Sequence, residues 1–362
     1  MTSFHQYDFR SSHNVRGGVY GLAAATLFGL SAPLAKLLLP EVGPLLMAGL
    51  LYLGAGFGLL GFEVLFYRGS EISRRESPVG PTDRWLLAGM ILTGGILGPI
   101  CMLWGLQRVS GVLGALLLNF EAPLTIGLAV LLFREHLPRR EILAALLIIS
   151  AAVILQFQPE DMRPDSFGVL AIMGACLWWA IDNNLSQRVS LRDPVVVTRI
   201  KALGAGICTV SIALLSGQSL PRPLILIATL VLGLFSYGLS LVLDMRALRL
   251  LGAAREAGFF ATAPFVGAVA AVPILGERWG INEMCASVVM VIGIVLLLRE
   301  HHHHLHLHEE IDHDHLHTHS EHHEHEHQEG LGKKPHSHRH RHLPLVHDHP
   351  HVSELHHRHE HD

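Results

Sequence analysis

Four groups of residues in this 362-residue chain could do chemistry, and each implies a different kind. The first is Glu121, which stands with Asn119 in "GVLGALLLNFEAPLTIGLAVLLF", a carboxylate inside an apolar run. It falls ten residues after Gly111, about 15 Å along a helix that rises ~1.5 Å per residue. An ionisable group inside a span costs ~2.5 kcal/mol or more, so it needs a reason to be there. One reason is reversible protonation, which would couple a proton to another movement. The plainer one is a structural hydrogen bond to a neighbouring helix. Pro123 offers no N–H to the carbonyl of Asn119, which leaves an acceptor free beside the carboxylate.

The second group is in "CLWWAIDNNLSQRVS". Trp178 and Asp182 are four residues apart and share a helical face, as do Trp179 and Asn183. A carboxylate and amides beside indole rings could hold a polar or cationic solute. The alternative is a helix end that reaches lipid headgroups while its tryptophans pack. The third group lies on either side of a short turn: Asp244 and Arg246 before it, Arg255 and Glu256 after it. Asp244 paired with Arg255 would make a salt-bridged gate, and solvated ends of a helical hairpin are the bland account.

The fourth group is the tail. Of 28 histidines, 25 lie between residues 300 and 362. The densest run holds His301, His302, His303, His304, His306, His308, His313, His315, His317, His319, His322, His323, His325 and His327. Neutral imidazoles interleaved with carboxylates ligate divalent transition metals, here Ni, Zn or Co. His-x-His sets both rings on one side of an extended chain and suits a flexible chelate, not a preformed tetrahedral site. The acidic interleaving, Gly330-Leu331-Gly332 and several prolines predict a segment without structure of its own until metal binds.

The elements that must position these groups follow from the apolar runs. The tail carries 13 acidic and 5 basic residues, whereas residues 1–299 hold 22 Lys/Arg and 18 Asp/Glu, so the overall charge of −4 describes neither part. The body is rich in Leu, Ala, Gly, Val and Ile, and the mean hydropathy of +0.37 over the whole chain understates it. A lipid bilayer is the implied surrounding. A span needs ~20 apolar residues, and ten candidates fit: 17–38, 43–67, 84–107, 111–133, 140–157, 167–190, 195–216, 224–247, 252–275 and 279–299. With the N-terminus inside, sixteen Lys/Arg fall on the inner side, Arg199 and Lys201 among them. Only Lys36, Arg108, Arg163, Arg222 and Arg278 fall outside. This asymmetry places both termini in the cytoplasm of a multi-pass protein of the cell (plasma or inner) membrane.

Cys101, Cys176, Cys208 and Cys285 sit in apolar runs without pairing motifs and read as buried hydrophobes. The N-terminus lacks the apolar core of a cleaved signal. No nucleotide loop, metalloprotease motif or triad stands in a convincing context, so neither an enzyme nor a nucleic-acid partner is expected, and no cofactor is required.

The body repeats. At an offset of 141, Arg108 meets Arg249, Gly111 meets Gly252 and Pro123 meets Pro264; one residue is then gained, and Glu135 meets Glu277. Five spans per half is odd, so the second copy enters the membrane from the opposite side, as in transporters built of inverted repeats. The pattern "APFVGAVAAVPILGERW", with Gly276-Glu277, resembles the EamA family of the drug/metabolite transporter superfamily over roughly residues 17–299. The first half departs from it, with Arg134-Glu135 and with "FEAP" where many relatives are apolar.

The fold expectation is an all-α membrane protein of ten transmembrane helices in two inverted-topology five-helix repeats. It divides as a cytoplasmic segment 1–16, repeats 17–157 and 167–299, and the tail 300–362. The resemblance implies a secondary transporter, often an exporter, that moves a small polar solute or metabolite. Transition-metal (Ni, Co, Zn) efflux and a membrane-tethered metal sensor or buffer are the alternatives. A homodimer is compatible with this plan.

Overall fold

The computed structural model describes residues 3–68, 70, 77–133, 139–155, 164–189, 192–251 and 253–298, and in the tail 305–308, 311–317, 336–342 and 345–348. Apolar stretches of this length become helices because only a helix bonds all its own backbone groups in lipid. Among the described residues, eight helices are long and apolar enough to cross a membrane: α1 (Val15–Leu38), α2 (Pro44–Tyr67), α3 (Pro81–Leu106), α4 (Gly111–Leu128), α6 (Ser166–Ser186), α7 (Pro194–Leu215), α8 (Pro223–Ala247) and α9 (Glu256–Leu275). Two shorter ones, α5 (Arg139–Ile154) and α10 (Ile281–Leu298), close the two repeats. The first helix also extends back to Ser3.

Local sequence sets the ends. Proline stands in the first turn of α2, α3, α7 and α8, where its missing N–H costs nothing. Asp193 caps α7 by accepting from Val195 N–H at 2.9 Å and Val196 N–H at 3.3 Å. Gly276, at φ +69°, ends α9 in the left-handed conformation.

The packing has exchange symmetry. Among the described residues, α2 packs on α7, α4 on α9 and α5 on α10, each helix on its counterpart five places along. The contact of α1 with α8 is mirrored by that of α6 with α3, and α2 with α8 by α7 with α3. Irregularities repeat too. α3 has a π-helical stretch at Ile91–Leu97, and α8 has one at Leu234–Leu239. α4 tightens to a 3₁₀ turn at Leu118–Phe120, and α9 breaks between Phe260 and Ala263. Both breaks directly precede the repeat prolines Pro123 and Pro264, which cannot donate to the carbonyl four residues back.

Small residues let the halves approach. Methyl groups built on Gly54 and Gly233 would lie 2.0 and 1.9 Å from the carbonyl oxygens of Leu230 and Leu51, so α2 and α8 touch backbone to backbone. Large apolar side chains face outward, including Leu146, Phe167, Ile207, Leu224 and Val288, whereas Asp182, Lys201, Asn119 and Glu256 are buried. That is the reverse of a water-soluble protein.

Arg199 and Lys201, counted on the inner side, lie within α7. The Glu63 carboxylate meets Arg199 at 2.5 Å. In the tail the described residues form β1 (Leu305–His308), β2 (Ile311–His317), β3 (His336–His342) and β4 (Leu345–Asp348). β1 pairs antiparallel with β4 and β2 with β3. The period of His-x-His is that of a strand, and the register sets Asp312 opposite Arg341 and Asp314 opposite Arg339, which favours pairing.

Gly54→Ala and Gly233→Ala should each lower the unfolding temperature in detergent, by about 1–3 kcal/mol of overpacking. Gly174→Ala, with nothing within 4 Å of the added methyl, should leave it unchanged.

Candidate functional site

The polar groups buried in the spans converge where the two halves meet. Glu121 lies in α4 just beyond the 3₁₀ turn, and Asn183 of α6 donates its Nδ2 to Glu121 Oε1 at 2.6 Å. The next residue, Asn184, donates to the carbonyls of Ala180 at 2.8 Å and Thr125 at 3.3 Å. Two successive amides of the second repeat therefore hold α4 of the first at Glu121 and one turn on. Asn119 is buried and turns away, its Nδ2 reaching Leu116 O at 3.1 Å and Met290 Sδ at 3.6 Å.

Asp182 is buried beside this pair and makes an ion pair with Lys201 of α7, Nζ to Oδ2 at 2.5 Å. Its Oδ1 receives no donor among the described residues. The seat is made by α3: a methyl on Gly94 would fall 2.2 Å from the Asp182 carboxyl carbon. A π-helical stretch widens the helix there, and the Gly94 carbonyl accepts from Tyr52 OH at 2.7 Å and Trp179 Nε1 at 3.2 Å. Phe28 lies edge-on to Trp179 and Tyr237, with ring centroids 6.1 and 5.9 Å away.

Asp244 of α8 and Glu256 of α9 lie carboxyl to carboxyl. Asp182, Lys201 and Asp244 all act electrostatically on Glu121, which makes one charged cluster of the four.

The structure brings Glu121, Asn183 and Asp182 together and sets Glu256 beside Asp244. Asp244 meets Glu256, and the side chain of Arg255, expected beside it, lies outside the described residues. Trp178 reaches Cys101 of α3, and Trp179 is the indole beside the cluster. Of the repeat positions, Pro123 and Pro264 sit at the helix breaks, Glu277 caps α4, and Glu135 lies outside the described residues. Of the tail histidines, His306, His308, His313, His315 and His317 fall in strands; His301, His302, His303, His304, His319, His322, His323, His325 and His327 lie outside the described residues. Lys201 was missed, although an ionisable residue seven places into "PVVVTRIKALGAGICTV" carries the signal that singled out Glu121.

Lys201→Met should leave Asp182 without its counter-charge and cost about 3–5 kcal/mol, read as a lower melting temperature and poor yield. Adding Asp182→Asn should restore most of that stability, since the pair is then removed together.

Residues 15–157 and 166–299 each match the family described as the EamA-like transporter family. An uncharacterized transporter of Methanothermobacter thermautotrophicus is 29% identical over 288 residues, which cover 76% of this chain and 84% of that protein. One solved crystal structure superimposes with a TM-score of 0.58 at 18% identity, over 77% of this chain and 95% of its own, and attests the fold alone.

Proposed function

The chain belongs to the EamA-like transporter family, and from that premise we propose a secondary transporter that exports a small polar solute, driven by proton exchange at Glu121. The observation that carries this reading is the Glu121–Asn183 contact beside the Asp182–Lys201 pair, set in otherwise apolar helices where the repeats meet. Inverted-repeat transporters hold solute at such a place. The ten helices cross the plasma or inner membrane, the two shorter ones included, with both termini in the cytoplasm.

The groups gathered at this site are the carboxylates of Glu121 and Asp182, the amides of Asn183 and Asn184 and the Lys201 ammonium, a hard set suited to a polar or amine-bearing solute. They favour a metabolite over a transition metal as cargo. Glu121 takes a proton from one side and gives it to the other as solute moves against it. Asn183 suits both states, since an amide donates to a carboxylate and accepts from a carboxylic acid.

The histidine tail is a cytosolic metal-binding appendage that tunes this transport. Its strand register supports the reading, with His313, His315 and His317 opposite His340, His338 and His336. Many weak chelates on one tether give graded occupancy over a broad metal range.

Glu121→Gln should abolish gradient-driven transport in proteoliposomes screened with amine and amino-acid solutes. Solute-for-solute exchange should survive, because the amide resembles the protonated acid. Unchanged pH dependence in this variant would remove the proton role. Deleting residues 300–362 should leave the body inserted and active while abolishing most Ni and Zn binding. Any response of transport to added metal should shrink with it, and an undiminished response would rule out tuning by the tail.

A further inference from the structure

At the end of α9 opposite Glu256, three helix ends meet in a polar knot. α3 finishes at Leu106, α4 begins at Gly111, and the Gly276 turn brings Glu277 between them. Glu277 Oε1 accepts the N–H of Gly111 at 2.6 Å, and Oε2 accepts that of Val112 at 2.8 Å. Lys36, near the end of α1, donates to the last carbonyls of α3, Leu106 at 2.7 Å and also Val109. The charge of Glu277 bears on it. Lys36, Leu106, Val109 and Gly111 belong to the first repeat and Glu277 to the second, so the Glu277 bonds are what ties the repeats together here.

We propose that Glu277 is a latch that holds this end of the passage shut, and that the transport cycle requires its two bonds to break and re-form. This rests on the reading of the chain as a transporter. A carboxylate on the first N–H groups of a helix makes short, charge-assisted bonds and meets the positive end of the helix dipole. The contact is also built to release. Ser110 Oγ, from the same repeat as α4, accepts Leu113 N–H at 3.1 Å, so the helix keeps a cap when Glu277 leaves. Glu277 is only partly buried, so water can take over both sides of the broken contact. The seat is close: a methyl on Gly111 would fall 2.5 Å from Leu275 Cδ1 and 3.3 Å from Glu277 Oε1. Meanwhile Asn183, three residues from the end of α6 on the other side of the bundle, is exposed. One end is thus tied, while at the other a residue of the polar group is open to its surroundings.

The test uses the full chain with its four cysteines replaced, reconstituted in liposomes. It carries a single reporter: Ala115→Cys, buried one turn below the latch, or Asn183→Cys at the open end. Each is labelled with a membrane-impermeant thiosulfonate from both faces. In Glu277→Ala, labelling of the Ala115 reporter should become severalfold faster from the latch face, and labelling of the Asn183 reporter severalfold slower from the opposite face. No change in either rate would overturn the proposal, and so would faster labelling of both, since a merely loosened bundle opens everywhere. Should Glu277→Ala not insert, Gly111→Ala crowds the same contact and is read by the same two rates. A reciprocal shift in a protein that moves no solute would leave the latch standing and remove the transporter reading.

Discussion

A helix in lipid satisfies its own backbone, and every departure from regular geometry must find a partner inside the bundle. The structure is organised around those departures. The π-helical stretch of α3 frees the Gly94 carbonyl, and Tyr52 and Trp179 supply the donors. The end of α3 leaves carbonyls that Lys36 takes up, and the start of α4 leaves N–H groups that Glu277 and Ser110 take up. Ionised side chains obey the same constraint, so Asp182 is buried only together with Lys201. Polar chemistry therefore collects where the helices are irregular, which is also where the two repeats meet.

The exchange symmetry of the packing makes this arrangement economical in sequence. A helix break before a proline, once specified, recurs at Pro123 and Pro264, and a widened helix recurs in α3 and α8. The side chains at the repeated sites have diverged. Glu121 of α4 has Thr262 as its counterpart in α9 at the same offset, so the carboxylate that marks the site is present in one copy only. The backbone is symmetric and its chemistry is not.

Much of this was legible in the sequence. The apolar runs gave the helices to within a few residues, and the offset of Gly111, Pro123 and Glu135 from Gly252, Pro264 and Glu277 gave the repeat. Glu121 stood out because a carboxylate in an apolar run has to be explained. Pairings between helices were not legible. Nothing local tells Asp182 that its partner is Lys201, nineteen residues on and one helix away, or that Asp244 will meet Glu256. The role of Glu277 was hidden for the same reason, since its acceptor work is done on backbone N–H groups 165 and 166 residues earlier. The period-two alternation of the tail is the pattern of a strand, and β2 and β3 pair along it.

The Gly94 carbonyl has a mechanical consequence. One oxygen accepts from a tyrosine of the first repeat and a tryptophan of the second, at mid-bundle, with both donors fully packed. A single acceptor atom can tilt against its donors by many degrees before either bond is lost, because carbonyl oxygens accept over a broad range of directions. Such a point resists sliding but transmits little torque. It is a fulcrum, and a body that pivots there concentrates its displacement, and the work of switching, at its two extremities.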